Sequence, residues 1–346
     1  MSQNIEQQLE EVLTNKATKR ALLSQSLFMF LRLNLKHYFT LGIPLFQEDM
    51  IRNLENRKIN TLLITSFIGG GKTTIVSMVY LLWEAFRTDE KKVIVHISRT
   101  KDEAQEFALR VQHEILWNDN LAETYGEPDK KLMTRKKISL PKVNTVIYFT
   151  HLKDEQFNYG TANILIVDDA FAKEGLHVKD DHERKRLIEI ANFKAYDRTV
   201  VAGSIHRRHG AMAGLMLCKI DGGRKLSYPI VDDAGVPLWP EKYGVRQIKN
   251  MRDKIGEGQW TKSYLLDTRS VHYYHYWLAD SNNTWRQFME KREKFLGYNK
   301  GWFKDELHFE KEITLGKHKF TSPKYGTTNV FMKKGETLPN AYEWSS

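Results

Sequence analysis

Five short apolar runs alternate with segments of helical periodicity between about residue 60 and residue 215. The apolar runs cover residues 61–66, 92–98, 144–150, 163–168 and 199–204. Apolar positions three and four residues apart predict helices at 72–86, 101–117 and 183–194. Buried strands that alternate with helices indicate a parallel sheet covered on both faces. The sequence therefore predicts an α/β core with a mainly parallel sheet.

The flanking segments follow other patterns. Residues 1–40 have helical spacing, with a second helix through Leu22–Leu35, and Gly42 and Pro44 then end the helical pattern. A less regular stretch follows the core, with helices predicted at 245–255 and 260–266, and the last part is aromatic and polar with one helix at 284–296. We therefore divide the chain into four parts: 1–42, 43–215, 216–270 and 271–346.

Composition narrows the class of protein. The 346 residues are 41% hydrophobic and 28% charged, which suits a soluble protein with a sizeable core. We expect no signal peptide and no membrane span, because Arg32 and Lys36 interrupt the apolar stretch 27–46. Cys218 is the only cysteine, which excludes an internal disulfide framework and a thiolate zinc cluster and fits a reducing cytosol. The net charge of +10 favours a polyanionic partner such as nucleic acid, although the charge is spread along the chain and also fits a generic basic surface.

A glycine-rich loop follows the first core strand directly. Residues 66–73 read SFIGGGKT, which matches the phosphate-binding loop pattern except that Ser66 stands where the first glycine is usual. Such glycines let backbone N–H groups face phosphate oxygens, Lys72 can reach the outer phosphates, and the Thr73 hydroxyl can hold Mg²⁺. A glycine-rich turn with an incidental lysine is the alternative. The residues expected to bind the nucleotide here are Ser66, Gly69, Gly70, Gly71, Lys72, Thr73 and Thr74.

Two adjacent carboxylates end a later strand. Asp168 and Asp169 follow the apolar run 164–167. Adjacent acids repel each other unless a cation lies nearby, so a metal–phosphate site explains the pair. We expect Asp168 to hold Mg²⁺ through water and Asp169 to orient or deprotonate the attacking water. An Asp-rich turn after a strand is the alternative.

Two further polar residues are weaker candidates. Ser204 ends the strand 199–204, where a small hydroxyl residue beside the terminal phosphate can sense its presence, although an ordinary strand-to-loop junction has the same pattern. Gln47 lies upstream of the loop, and a glutamine there can recognise the adenine edge with one donor and one acceptor. Taken alone, Gln47 is better interpreted as a surface side chain.

Taken together, these motifs resemble the ATPase half of the large terminase subunit, the genome-packaging motor of tailed bacteriophages. The resemblance covers roughly residues 40–270 and depends on the order of several elements. These elements are Pro44–Gln47, Ser66–Thr73, Val93–Ser98 with Lys101–Ala104, Gly160–Asp169, Ala202–Ser204, Leu238–Glu241 and Trp260–Leu266.

The resemblance implies a RecA-like P-loop ATPase core of the ASCE class at 43–215, with ATP and Mg²⁺ as cofactors. The N-terminal helices and 216–270 would form a small helical lid subdomain, and 271–346 would be a short C-terminal extension. Gln47 would contact adenine, and Gly203 and Ser204 would couple hydrolysis to movement. The other implied roles are phosphate and Mg²⁺ binding by Lys72 and Thr73, metal binding by Asp168 and catalysis by Asp169.

The resemblance also implies partners and a cellular location. Similar motors act as homo-oligomeric rings on the portal of a procapsid and push double-stranded DNA inside, in the cytoplasm of the infected host. A small terminase subunit or a separate nuclease is a further possible partner.

Several positions depart from the family pattern. The catalytic carboxylate is usually Glu where this chain has Asp169, and frequent arginines align with Ile68 and Tyr159. Arginine fingers can be worth about three to five orders of magnitude in rate. Either another residue replaces these arginines or the chain alone hydrolyses ATP slowly. The replacement candidates are Arg99, Arg184, Arg207 and Arg208.

The sequence after position 270 bears on whether the chain has nuclease activity. Large terminase subunits usually carry a second, metal-dependent nuclease domain, and the acids after position 270 form no clear strand-end set, so we expect no nuclease activity.

A helicase-like DNA-dependent ATPase remains an alternative, although no second series of strands and helices follows residue 215. A packaging or assembly adaptor that has lost hydrolysis is the non-enzyme alternative.

Overall fold

Seven strands form the main sheet of this computed structural model. The structure describes residues 15–154, 162–171, 196–206, 211–217 and 222–266, together with strands at 309–315, 318–323 and 332–333. The strands of the main sheet are β1 (Thr61–Ser66), β2 (Lys92–Ser98), β3 (Lys137–Leu140), β4 (Thr145–His151), β5 (Ile164–Asp168), β6 (Arg198–Gly203) and β7 (Gly223–Tyr228). Their order is β3-β4-β2-β5-β6-β1-β7, and only the edge strand β3 is antiparallel to its neighbour. The mainly parallel sheet predicted from the sequence is confirmed.

Helices surround this sheet. They are α1 (Lys16–Gln25), α2 (Leu27–Asn34), α3 (Leu45–Glu55), α4 (Leu81–Phe86), α5 (Lys101–Trp117), α6 (Asp119–Tyr125), α7 (Ala211–Leu217), α8 (Val245–Ile255) and α9 (Glu257–Ser263). A π-helical segment, Thr73–Tyr80, leads directly into α4, and a short 3₁₀ turn covers Lys36–Tyr38. Among the described residues, no helix is long and apolar enough to cross a membrane.

Both faces of the sheet are covered by apolar side chains. In β1, Leu62 and Ile64 belong to the larger hydrophobic cluster, whereas Leu63 belongs to the smaller one on the opposite face. The larger cluster includes the N-terminal helices, and the Trp83 indole nitrogen donates to the Leu23 carbonyl at 2.8 Å. The alternation within one strand explains why the core strands carry continuous apolar runs and not an alternating pattern.

Most predicted elements lie where the pattern placed them. The predicted helices 101–117 and 245–255 are α5 and α8, and residues 73–86 are helical as expected. The single helix predicted through Leu22–Leu35 is wrong, because Ser26 ends α1 and its hydroxyl caps α2 by accepting the Met29 N–H. The helices predicted at 183–194 and 284–296 lie outside the described residues.

Two strands of the main sheet were not predicted. The edge strand β3 pairs antiparallel with β4, and β7 pairs with β1 over its whole length. The strand β7 falls in the part assigned from the sequence to the lid subdomain, yet it extends the main sheet beside the glycine-rich loop.

The chain divides into two compact units, Met1–Leu266 and Asp267–Ser346. The described part of the second unit is an antiparallel sheet of three strands, β8 (Phe309–Leu315), β9 (His318–Pro323) and β10 (Met332–Lys333), in the order β10-β9-β8.

Candidate nucleotide-binding site

The glycine-rich loop lies at the carboxyl end of β1, between that strand and the helical segment that begins at Thr73. Gly69 and Gly71 both have φ of +86°, a left-handed conformation that strongly favours glycine. At Gly71 a Cβ would lie 2.7 Å from the Gln47 amide nitrogen, and at Gly69 it would collide with the Tyr243 hydroxyl. The loop therefore needs glycine for its backbone and for its neighbours, which gives the sequence motif a physical cause.

Lys72 is buried beneath the loop. Its side chain is 6% exposed, and its Nζ donates to the carbonyls of Ser66 at 2.8 Å and Phe67 at 3.3 Å. Burial lowers the pKa of Lys72, and the nearby charges of Asp169 and Asp168 oppose that change. The ammonium group, the loop and the acid pair therefore lie at one edge of the sheet.

Asp168 is buried at the end of β5. It faces the start of the helical segment Thr73–Tyr80, called the loop helix below. Its Oδ2 accepts the Ser77 hydroxyl at 2.8 Å, whereas its Oδ1 is buried without a hydrogen-bond partner among the described residues. Burial and the Asp169 charge raise the pKa of Asp168 to about 6, and the Ser77 and Thr73 hydroxyls and Lys72 favour its ionised form. A buried carboxylate oxygen with no donor beside a threonine hydroxyl fits a divalent cation, since Mg²⁺ takes one or two carboxylates together with substrate phosphates.

Asp169 adopts a left-handed backbone conformation with φ of +46°. Its backbone N–H donates to Ala202 at 2.9 Å, and its Oδ1 accepts the Ser204 N–H at 2.9 Å. His206 Nε2 lies 4.0 Å from the same oxygen. These contacts hold the carboxylate at the carboxyl ends of β5 and β6 with its side chain 39% exposed, so it can reach a water molecule.

Gln47 contacts the loop from α3. It is 1% exposed, and its Nε2 donates to the Gly70 carbonyl at 3.0 Å, while its Oε1 is buried without a partner among the described residues. The interpretation of Gln47 as a surface side chain is therefore wrong. Its donor is engaged by the loop, and the expected contact with adenine stays a prediction.

Three residues that follow the core in the sequence also contact the loop. Lys242 Nζ donates to the Gly69 carbonyl at 3.0 Å and lies 4.6 Å from the centroid of the Trp239 ring. Tyr243 packs edge-on against Phe67 with ring centroids 5.6 Å apart. The Ser263 carbonyl accepts the Ile68 N–H at 3.3 Å, and its hydroxyl donates to the Ile205 carbonyl at 3.2 Å. This segment links the phosphate loop to the residue that follows Ser204.

The structure thus brings most of the candidate residues to one edge of the sheet. Ser66 is fully buried, and its side chain faces the loop backbone and the Phe67 carbonyl. Thr74 follows Thr73 in the first turn of the loop helix and is partly exposed. Among the arginine candidates, Arg99 pairs with Glu103 on α5. Arg184, Arg207, Arg208 and Tyr159 lie outside the described residues.

Sequence reasoning missed several residues of the site. Ser77 lies four positions after Thr73, which places both hydroxyls on one helical face, so its spacing could have identified it. Lys242, Tyr243 and Ser263 reach the loop only through the fold, and no local pattern identifies them. Within the described part of the chain, no group of three or more His, Cys, Asp and Glu side chains could hold a metal ion by itself.

Comparison with known proteins identifies the fold. No protein-family model matches the sequence, and no curated protein matches it. The structure is similar to the HK97 bacteriophage large terminase, with a TM-score of 0.52 and 13% identity over 71% of this chain. The match covers 55% of the terminase chain, so this chain spans about half the length of that protein.

Two other structures show weaker similarity. The ATPase domain of the Thermus phage P74-26 large terminase has a TM-score of 0.43 and 14% identity, covering 63% of this chain and 92% of that domain. Dbp5 of S. cerevisiae, in a complex that contains ADP, has a TM-score of 0.38 and 13% identity, covering 60% of this chain and 52% of that chain. The similarity to the HK97 protein confirms the predicted fold class, an α/β fold with a mainly parallel sheet.

Proposed function

We propose that this protein binds ATP with Mg²⁺ and hydrolyses it to drive double-stranded DNA into a viral procapsid. The observation that carries the proposal is the position of Asp168, buried opposite the loop helix with one free oxygen beside Thr73. The fold of the large-terminase ATPase type, the net charge of +10 and the ordered motifs support the same function.

The residues of the site divide the chemistry among them. The N–H groups of the loop and the Lys72 ammonium bind the phosphates, after Lys72 exchanges its two carbonyl partners for phosphate oxygens. Asp168 and Thr73 would hold Mg²⁺, which neutralises charge on the transferring phosphoryl group. Asp169 orients the attacking water and accepts its proton, and its bond to the Ser204 N–H transmits its position to β6.

We propose that the protein also binds double-stranded DNA and the procapsid portal. The protein would act as a homo-oligomeric ring in the host cytoplasm, with a small terminase subunit or separate nuclease as further possible partners.

The experiment that tests this function measures ATP turnover with and without double-stranded DNA and procapsids. Wild type should hydrolyse ATP only with Mg²⁺, faster with DNA, and should protect DNA from added nuclease when procapsids are present. Lys72→Ala should abolish ATP hydrolysis, its stimulation by DNA and the protection of DNA. Lys249→Ala, on the exposed face of α8, is the control and should keep all of them. DNA protection that persists in Lys72→Ala would refute the proposal.

A further inference from the structure

A groove opens directly beside the phosphate loop, between the loop helix, α5 and the 3₁₀ turn. Its volume is about 170 Å³, and Thr73 and Thr74 form the wall next to the loop. The opposite walls come from Tyr38 and from Arg110 and His113 of α5. A ligand whose phosphates lie on the loop would meet this groove as it leaves the first turn of the helix.

The floor and rim of the groove differ in chemistry. Phe107 and Met78 form an apolar floor and are 3% and 4% exposed. The rim carries the exposed guanidinium of Arg110, which lies 5.1 Å from the centroid of the Phe107 ring. Among the described residues no carboxylate forms an ion pair with Arg110. An aromatic floor with a planar cation above it is the kind of surface on which a nucleic-acid base stacks.

Tyr38 is held in place at the edge of this groove. Its hydroxyl donates to the Glu114 Oε2 at 2.7 Å, and the Glu114 side chain is 7% exposed. Because that bond fixes the hydroxyl, the ring, which is 38% exposed, stays beside Thr74 and Arg110. An aromatic ring anchored at its polar end loses little conformational entropy when a ligand stacks against it.

The burial of Gln47 leaves room for a separate binding site for the base. Its side chain is 1% exposed, and its amide donor is occupied by the Gly70 carbonyl beneath the loop. The groove, by contrast, is open to solvent, and its lining residue Thr74 is partly exposed. Pockets that enclose a whole small ligand measure roughly 300–1,000 Å³, so a groove of this volume suits one part of a ligand whose remainder lies elsewhere.

We propose that this groove binds the base and ribose of the nucleoside triphosphate, with Tyr38 and Arg110 as the residues that contact them. The inference rests on the proposed function, because it needs a triphosphate on the loop. It assigns recognition of the nucleoside to residues that contact neither the phosphates nor the acid pair. Affinity for the nucleotide and affinity for its phosphate chain should therefore be separable.

The experiment compares two probes by isothermal titration calorimetry on the full chain with Mg²⁺: ATPγS and inorganic tripolyphosphate. Arg110→Ala and Tyr38→Leu should each weaken ATPγS binding roughly tenfold, the size expected for loss of one stacking contact on a base. Tripolyphosphate binding should change less than about twofold, since the phosphates do not reach the groove. Arg135→Ala, which removes an exposed arginine near β3, is the matched control. Tyr38→Phe, which keeps the ring but loses the bond to Glu114, should weaken ATPγS binding less than Tyr38→Leu does.

The outcomes separate this inference from the proposed function. Equal weakening of both probes would place Arg110 on the phosphates and overturn the inference, as would unchanged ATPγS binding in both folded variants. Wild type that binds neither probe would refute the proposed function itself. Circular dichroism of each variant establishes that a change in affinity comes from a folded protein.

Discussion

The carboxylate of Asp169 accepts the backbone N–H of Ser204 at 2.9 Å. This bond joins the acid that follows β5 to the residue that follows β6, the neighbouring strand. A shift of the Asp169 carboxylate during hydrolysis would therefore also displace the backbone at the end of β6. Ile205, the next residue, is in turn bonded to the Ser263 hydroxyl, so the contact continues toward the segment that holds the loop.

The first prediction concerns the role of Asp169. Asn in its place still accepts the Ser204 N–H and tolerates a positive φ, but it cannot accept a proton. We expect Asp169→Asn to keep the free energy of unfolding within about 0.5 kcal/mol of wild type. The kcat for ATP should fall roughly 10²–10⁴-fold, the usual contribution of a general base. Chemical denaturation and steady-state turnover measure the two quantities, and wild-type turnover in this variant would exclude Asp169 as the base.

The second prediction tests the packing of Tyr243 against the loop. Alanine at Gly69 must adopt a positive φ and must also displace the Tyr243 hydroxyl, whereas alanine at Gly256 has a similar φ of +83° and meets nothing within 4 Å. Gly256→Ala should cost about 1–2 kcal/mol of unfolding free energy. Gly69→Ala should cost about 1–3 kcal/mol more, the usual penalty for overpacking.

Adding Tyr243→Phe to Gly69→Ala should recover most of that extra cost, because only the hydroxyl oxygen lies too close to the new methyl group. Equal destabilisation by the two alanine substitutions, with no recovery in the double variant, would show that Tyr243 does not pack where the structure has it.

The third prediction concerns Ser77, the hydroxyl bonded to Asp168. Its removal leaves the carboxylate without that donor and free to rotate away from a cation. We expect Ser77→Ala to weaken Mg²⁺ binding in the presence of ADP roughly 10–100-fold, as is usual when a residue that orients a metal ligand is removed. Ser24→Ala, on the exposed part of α1, is the control for loss of one hydroxyl. A Mg²⁺ affinity equal to that of the control would refute this role.

The fourth prediction uses the pH dependence of stability without metal or nucleotide. Burial first, and then the Asp169 charge, raise the pKa of Asp168 from 3.8 to about 6 in the folded protein. Between these values the folded state holds a proton that the unfolded state has released, so stability falls as pH rises from about 4 to about 6. Relative to Asp168→Asn, wild type should lose about 3 kcal/mol over this range and then level off.

Denaturation curves at several pH values measure this difference, with Asp233→Asn, in an exposed turn, as the control for removing a carboxylate. An unfolding free energy of wild type, relative to that of Asp168→Asn, that stays constant or rises with pH would contradict the burial of Asp168.

Much of the fold could be predicted because its causes are local. Residues 62–64 and 164–167 are continuous apolar runs since both faces of the sheet are covered, and α5 begins where the Thr100 hydroxyl caps it. The strand β7 could not be predicted, because four of its six residues are not buried and its pattern resembles a loop. Its identity as a strand comes from pairing with β1.

The site shows the same division between local and distant causes. Lys72, Asp168 and Asp169 are recognisable because the chemistry of phosphate and metal requires those residue types next to a strand end. Lys242 and Tyr38 are not recognisable, since a lysine or tyrosine outside a motif carries no sign of the loop or groove that it will reach. The burial of Gln47 could not be predicted either, because nothing in its own segment shows that the loop closes over it.

The measurement that most directly tests the site is electron paramagnetic resonance of Mn²⁺, used in place of Mg²⁺, titrated into the protein with and without ATPγS. We expect one tightly bound Mn²⁺ per chain when ATPγS is present, and loss of that binding in Asp168→Asn and in Lys72→Ala. Those results would show that the acid and the loop act on one metal–triphosphate complex. Tight Mn²⁺ binding that persists in both variants would show that the loop and Asp168 do not share a ligand, and the account of the site would be wrong.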